Sequence, residues 1–293
     1  VQKSLFFSKI ASMARLQQSI FFLILSSLIA LGCGTDKPPR LATSDTLDHY
    51  YRGNEYVLND KPDSAIAEYM LCIKADSTNW RAYYQLGGIY QLQGDFANSL
   101  SCFNRSVELK PEFTLGFFNK SNLEEMIGDE KSSMADLKRT ISLKKDFFMA
   151  ILSKARKESS TGNYKAAIAD FDEAISLRPD FYLAYSMRGS CKFKMGDFAG
   201  AIGDFEKEIE LMPNHIMGYV NRAVAYGELK NYRAAVDDLS VAIQLDPMWS
   251  QSFIYRGIYY NKMNKKDSGC GDFRVAIKLK NPQAENFSNE YCK

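Results

Sequence analysis

A step of 34 residues brings this chain into register with itself. Seven units run without insertion or deletion from residue 46 to 283, starting at Thr46, Trp80, Thr114, Phe148, Tyr182, Ile216 and Ser250. No other feature limits the fold as much. A unit of this length is one supersecondary element. It cannot bury its own apolar face and must stack on its neighbours.

The columns of the repeat show what each place demands. Gly53, Gly87, Ser121, Ala155, Gly189, Ala223 and Gly257 form one small column, and Ala65, Ser99, Ser133, Ala167, Ala201, Ala235 and Gly269 a second. A third is large and apolar: Tyr69, Phe103, Leu137, Phe171, Phe205, Leu239 and Phe273. A fourth, from Ile73 to Ile277, is β-branched throughout. Between the halves of a unit lie turns such as Gly94-Asp95, Gly128-Asp129, Gly162-Asn163, Gly196-Asp197 and Asn231-Tyr232. Glycine permits a left-handed helix end, and Asp or Asn can cap the helix that follows. Pro111, Pro179, Pro213 and Pro247 close four units, where proline ends one helix and prepares the next. Each unit is expected to be a helical hairpin.

The period and these columns resemble the tetratricopeptide repeat (TPR) family. The resemblance implies an all-α fold, a right-handed superhelical solenoid of seven helix-turn-helix units: 46–79, 80–113, 114–147, 148–181, 182–215, 216–249 and 250–283. Residues 284–293 follow as a C-terminal cap. The third unit departs most, with Ser121, Glu124, Thr140 and Lys145 in place of the family's Gly, Tyr, Ala and Pro. A change of stacking angle, a joint without a domain boundary, is expected near 140–160.

The resemblance also implies a concave groove lined by the first helices. Mapped on this chain, the groove positions are Tyr50, Tyr84, Leu115, Phe118, Asn119, Met149, Leu152, Leu183, Phe193, Met217, Val220, Asn221, Ile254 and Ile258, with Leu47 and Val224 beside them. This lining is apolar and suits an apolar helix or extended segment of another protein, since aromatic and Met side chains give adaptable contact area. Some TPR proteins grip a partner's carboxylate terminus with a Lys/Asn/Arg clamp. Here the first two clamp places hold Tyr50 with Asn54, Tyr84 with Gly88 and Phe118 with Asn122, so that mode is rejected. Asn119 and Asn221 remain as expected polar contacts to a peptide backbone.

Enzyme chemistry finds no foothold. The two histidines, His49 and His215, have no Cys or acid at metal-ligand spacing. The glycines fall in repeat columns and form no phosphate loop, and "RGSC" at 188–191 lacks the second glycine of a nucleophile elbow. No catalytic residue, cofactor or metal is expected.

Residues 19–36, SIFFLILSSLIALGCGTD, belong to a separate element. Arg15 precedes the apolar run, residues 1–32 contain no Asp or Glu, and the uncharged stretch is at the lower limit for a membrane span. This is the layout of a signal peptide. Its ending, Ala30-Leu31-Gly32-Cys33, resembles the lipobox of bacterial lipoproteins with Leu and Ala transposed. The resemblance implies cleavage before Cys33 and lipidation of that cysteine. Met13 is the expected start, residues 1–32 the signal, and 33–45 a lipid-bearing tether through Pro38-Pro39. Gly34 is not an Asp-type inner-membrane retention signal, so the expected location is a bacterial envelope, at the outer membrane, facing either the periplasm or the surface. Without Lys3, Lys9 and Arg15 of the signal, the net charge of +2 falls to near neutrality. A near-neutral chain lacks the basic stripe that nucleic acid requires. The cluster Lys138, Arg139, Lys144, Lys145, Lys154, Arg156, Lys157 and Lys165 is read as a solvated face.

Six cysteines complete the inventory. The lipid would take Cys33. Cys72, Cys102 and Cys191 lie inside repeat helices, with Cys72 in a column read as Ala, Ser and Thr. Cys270 and Cys292 are expected to form a disulfide, because a terminal repeat needs a cap and the short tail would otherwise be held only by packing. The chain is thus expected to act as a membrane-anchored adaptor or scaffold that binds proteins. The alternatives are a structural subunit of an envelope assembly or secretion machine, and a regulatory subunit of a peptidoglycan enzyme or protease.

Overall fold

A computed structural model describes residues 44–292. It is all-α, with fifteen helices among the described residues, fourteen of them paired in hairpins. The expected signal peptide, Cys33 and the tether up to residue 43 lie outside the described residues. Among the described residues, no helix is long and apolar enough to cross a membrane.

The chain forms two compact units, divided between Ser77 and Thr78. Among its described residues the first unit holds one hairpin, α1 (Ser44–Leu58) and α2 (Pro62–Ala75). The helix begins two residues before the expected Thr46. Gly53 lets α1 approach α2 closely: a Cβ there would stand 2.5 Å from the Tyr69 ring. The Tyr69 hydroxyl donates to Asn54 Oδ1 at 2.7 Å, and His49 Nδ1 lies 2.6 Å from Glu68.

The second unit contains six hairpins in series: α3 (Trp80–Gln93) with α4 (Phe96–Leu109), α5 (Thr114–Met126) with α6 (Glu130–Leu143), α7 (Phe148–Ser160) with α8 (Tyr164–Leu177), α9 (Tyr182–Lys194) with α10 (Phe198–Leu211), α11 (Ile216–Glu228) with α12 (Tyr232–Leu245), and α13 (Ser250–Lys262) with α14 (Lys266–Lys278). Every first helix here starts at the residue the 34-residue period assigns. The small and large columns meet as the sequence requires. A Cβ on Gly87, Gly189 or Gly257 would come within 2.9 Å of the ring of Phe103, Phe205 or Phe273. In the third repeat Ser121 replaces glycine, and the facing residue is the smaller Leu137, so the hairpin closes.

The turns follow one design. Gly94, Gly128, Gly162 and Gly196 all have φ near +80°, and the same place in other repeats holds Asp60, Lys230 and Asn264, also at positive φ. Side chains of Asp95, Asp129, Asp197 and Asn231 accept from the backbone N–H three residues on, as expected. Asn163 does not cap: its amide donates to Glu158 and Thr161 instead.

One column escaped the sequence reading. A base on the first helix pairs with an Asp sixteen residues later in five successive repeats: Lys120–Asp136, Lys154–Asp170, Arg188–Asp204, Arg222–Asp238 and Arg256–Asp272. The last three are two-pronged, with distances of 2.7 and 2.8 Å for Arg222 and 2.8 Å for both contacts of Arg256. Each arginine also reaches back to the preceding repeat. Arg188 Nη1 donates to Asp172 at 2.5 Å, Arg222 lies 4.0 Å from Glu206, and Arg256 Nη1 donates to Ser240 at 3.1 Å. In the repeat beginning at Trp80 these places hold Leu86 and Cys102 and the pair is absent. In the third repeat Glu124 joins the pair, 3.3 Å from Lys120. Burial and then the neighbouring Asp136 charge push its pKa up to about 7, against the pull of Lys120.

After the last hairpin, α15 (Ala284–Tyr291) packs on α13 and α14. Phe287 and Tyr291 face the Phe273 ring, each 6.0 Å between centroids. Cys270 and Cys292 are disulfide-bonded with their Cα atoms 5.7 Å apart, the pairing expected from the sequence. Cys72, Cys102 and Cys191 take no part in a disulfide among the described residues.

Candidate functional site

The first helices α7, α9, α11 and α13 touch in succession, so their shared face is continuous within the second compact unit. The expected groove positions divide on this face. Met149 and Met217 are 42% and 38% exposed. Leu183 and Asn221 are half-buried; so are Leu115 and Phe118 on α5, with Phe118 packed on Phe147 at 5.1 Å between rings. Phe193 and Ile258 are also half-buried, each leaning on a core cluster.

Three expected groove residues belong to the core instead. Leu152, Val220 and Ile254 are only 6%, 3% and 0% exposed. Each sits one helical turn after its helix start, where the side chain turns under the neighbouring second helix and joins the apolar cluster there. Asn119 is buried and its amide donates to the Tyr84 hydroxyl at 2.6 Å, so it ties two repeats together and is not offered to a peptide. Tyr50 lies in the first compact unit, half-buried, 5.9 Å from the Tyr69 ring.

The face also holds polar groups. A cavity of about 330 Å³ is lined by Ser159, Ser160, Ser186 and Ser190, by Phe171 and Met187, and by Glu125, Glu130, Arg156 and Lys157. The Lys157 ammonium is buried and donates to Glu130 at 2.6 Å, with Glu125 at 3.3 Å; Arg156 reaches Glu125 at 3.3 Å. These contacts join the repeats beginning at Thr114 and Phe148. They also split the basic cluster: Lys154, Arg156 and Lys157 are engaged in ion pairs, while Lys138, Lys145 and Lys165 are exposed.

Ser186, which lines this cavity, belongs to a repeat that breaks two columns at once. At the fifth place of a repeat the other units carry Tyr50, Tyr84, Phe118, Leu152, Val220 and Ile254, but this one carries Ser186. At the twenty-seventh place the others carry Cys72, Ser106, Thr140, Ala174, Ala242 and Ala276, but this one carries Glu208. The column of Ala, Ser and Thr around Cys72 therefore has an acidic exception, which aligning that column alone would have exposed. Glu208 is fully buried, and one oxygen, Oε1, lies 2.7 Å from His215 Nδ1. Gly218 lies beside it: a Cβ there would meet Ile209 Cγ1 at 2.9 Å, and Glu208 only at an ordinary contact distance of 3.4 Å. Among the described residues no group of three or more His, Cys, Asp or Glu could hold a metal ion.

Paired helices of fixed length, small residues facing rings and a shared first-helix face define a helical-hairpin repeat protein. Comparison by sequence agrees. Tetratricopeptide repeat family profiles match residues 81–113 and 218–247, and a second such profile matches 152–216. These stretches are similar to tetratricopeptide repeats, a scaffold type that generally serves protein–protein interaction and is typically non-enzymatic. No curated protein matches it in sequence. Among solved structures, it is similar to the C-terminal part of a TPR repeat-containing protein from Cytophaga hutchinsonii, at 14% identity over 81% of this chain and 98% of that one, with a TM-score of 0.70. It is similar to a tetratricopeptide repeat protein from Parabacteroides merdae, at 16% identity over 86% and 100%, with a TM-score of 0.59. It also resembles YrrB, described as a TPR protein with an unusual peptide-binding site, at 16% identity over 60% and 91%, with a TM-score of 0.54. At these identities the likeness concerns the fold.

Proposed function

We propose that this chain is an adaptor or scaffold that holds a segment of another protein against its first-helix face, and that Cys33 tethers it to a membrane of a bacterial envelope. The observation that carries the first part is the exposure of Met149 and Met217 on the face shared by α7, α9 and α11, with half-buried Leu183 on the intervening helix and a cavity beside them. Flexible thioethers left uncovered suit an apolar partner segment. The peptide-binding site in the description of YrrB, a protein of similar fold, is in keeping with this reading. A tether near the membrane would raise the local concentration of a membrane-bound partner.

A photo-crosslinking amino acid at position 217 in the full chain tests it in cells. One defined protein should be captured from position 217 and not from Asp237, which is exposed on a second helix. The double substitution Met149→Glu with Met217→Glu should abolish capture while the helical content stays intact. Equal capture from both positions would defeat the proposal.

A further inference from the structure

In the third repeat one ammonium faces two buried acids. Lys120 Nζ stands 3.3 Å from Glu124 Oε1 and 3.0 Å from Asp136 Oδ2. The side chains of Glu124 and Asp136 are only 4% and 13% exposed. Each has an oxygen shut off from solvent without a hydrogen-bonded partner, Oε2 of Glu124 and Oδ2 of Asp136; the latter has the Lys120 charge beside it but no donor aimed at it. Carboxylate oxygens buried in this way are costly.

Other repeats fill this place differently. The eleventh place, which Glu124 holds, is Tyr56, Tyr90, Tyr226 and Tyr260 in four of them. In the repeat beginning at Tyr182 it is Lys192, 2.9 Å from Asp204, so that Arg188 and Lys192 together meet one acid. The third repeat has the opposite balance, two acids on one base. From the hairpin before, the corresponding places bring Tyr90 and Cys102, both pushed up by burial and therefore neutral. From the hairpin after, Lys154 is bonded to Asp170, and Arg156 and Lys157 are held by Glu125 and Glu130. In the first turn of α6, Asp129 caps the helix at the Ser132 N–H and Lys131 is exposed.

The positive charge missing from this cluster is supplied most simply by a proton. Two carboxylates on one site resist ionising together. A proton on either one turns an acceptor into a donor, removes the like-charge repulsion between α5 and α6, and leaves a single carboxylate for Lys120. The upward push on Glu124, from burial first and the Asp136 charge second, is in keeping with this.

We propose that Glu124 and Asp136 share one proton and so form a pH-sensitive latch between α5 and α6: the hairpin is held shut while the proton is present and loosens when it leaves to solvent and both carboxylates are charged. The latch does not depend on the adaptor reading. It sits where the ion pairs of Glu125 and Glu130 join this hairpin to α7, so its opening would be felt at that junction.

The test is an NMR titration of the full chain carrying carbon-13 at the Glu and Asp side-chain carboxyls, together with amide exchange. A step near 7 should appear on the carboxyl carbons of both Glu124 and Asp136. Asp136→Asn should lower the Glu124 midpoint by about one unit or more, since the neighbouring carboxylate is gone. Amide exchange, corrected for its intrinsic pH dependence, should quicken roughly tenfold or more in α5 and α6 relative to α13 and α14 between about pH 5.5 and about pH 8. Glu124→Gln keeps the shape without the titration, and Glu124→Tyr installs the residue of four other repeats; both should remove that change. A Glu124 midpoint in the ordinary carboxylate range, a step confined to one of the two carboxyls, a midpoint unmoved in Asp136→Asn, or an exchange ratio that stays flat with pH or still changes in both variants overturns the latch.

Discussion

Replacing Lys230 by glycine should stabilise the protein. Lys230 has φ of +60° in the turn between α11 and α12, where four other repeats place glycine at +79° to +84°. A residue with a Cβ in the left-handed region costs roughly 1–2 kcal/mol. Glycine gives back about 0.5–1 kcal/mol because its unfolded chain is freer. The net expectation is a gain of about 0.5–1 kcal/mol. The surroundings do not complicate the estimate, since a Cβ built on Gly94, Gly128, Gly162 or Gly196 meets nothing within 4 Å. The exchange therefore isolates the backbone term. The reverse change, Gly196→Lys, should destabilise by a similar amount, and Asn264→Gly should do little, because Asn tolerates this conformation. Urea unfolding followed by circular dichroism reads the effect, with the shift of midpoint at constant slope as the measure. A loss of stability in Lys230→Gly, or no loss in Gly196→Lys, would refute the assignment of strain to this turn.

Four further expectations follow from the described geometry. Val220→Glu should cost at least about 3 kcal/mol and cripple folding, because it buries an unpaired charge; Met217→Glu, three residues away and exposed, should leave the melting temperature within a few degrees. Glu124, raised to about 7 by burial and the Asp136 charge, binds a proton more tightly in the folded state than in the unfolded state. Stability should therefore fall as pH rises from about 4.5 to about 7, and Glu124→Gln should flatten that part of the profile of urea midpoints. Cys292→Ser should lose roughly 3 kcal/mol of C-terminal stability, the chain-entropy value for a loop of this size, read as faster amide exchange in α14 and α15 with the other repeats unchanged. Cys33→Ser should release the protein from washed membranes or block its processing in cell fractionation; normal maturation with retained binding would exclude the lipid anchor.

The repeat was legible because each column answers to one local demand. Helix starts, the ring-against-glycine contacts and the turn residues could be read without coordinates, since 34-residue spacing and residue size are enough to set them. The groove was less legible. Val220 and Met217 are three positions apart and both apolar, yet only the tilt of α11 against its neighbours decides which is covered. Glu208 was missed because a column read for its majority conceals its exception. The base–Asp column was hidden for another reason: its members lie sixteen residues apart, on different helices, beyond the range at which charge patterns are usually compared.

That column also gives the molecule a direction. Arg188, Arg222 and Arg256 each hold an Asp of their own hairpin and a residue contributed by the hairpin before it. Asp172, Glu206 and Ser240 all lie earlier in the chain than the arginine that seeks them. As synthesis proceeds from the N-terminus, each new hairpin therefore closes onto acceptors already in place, whereas a hairpin that closed first would leave its arginine short of one partner. For these three hairpins the order of synthesis is also the order in which partners become available.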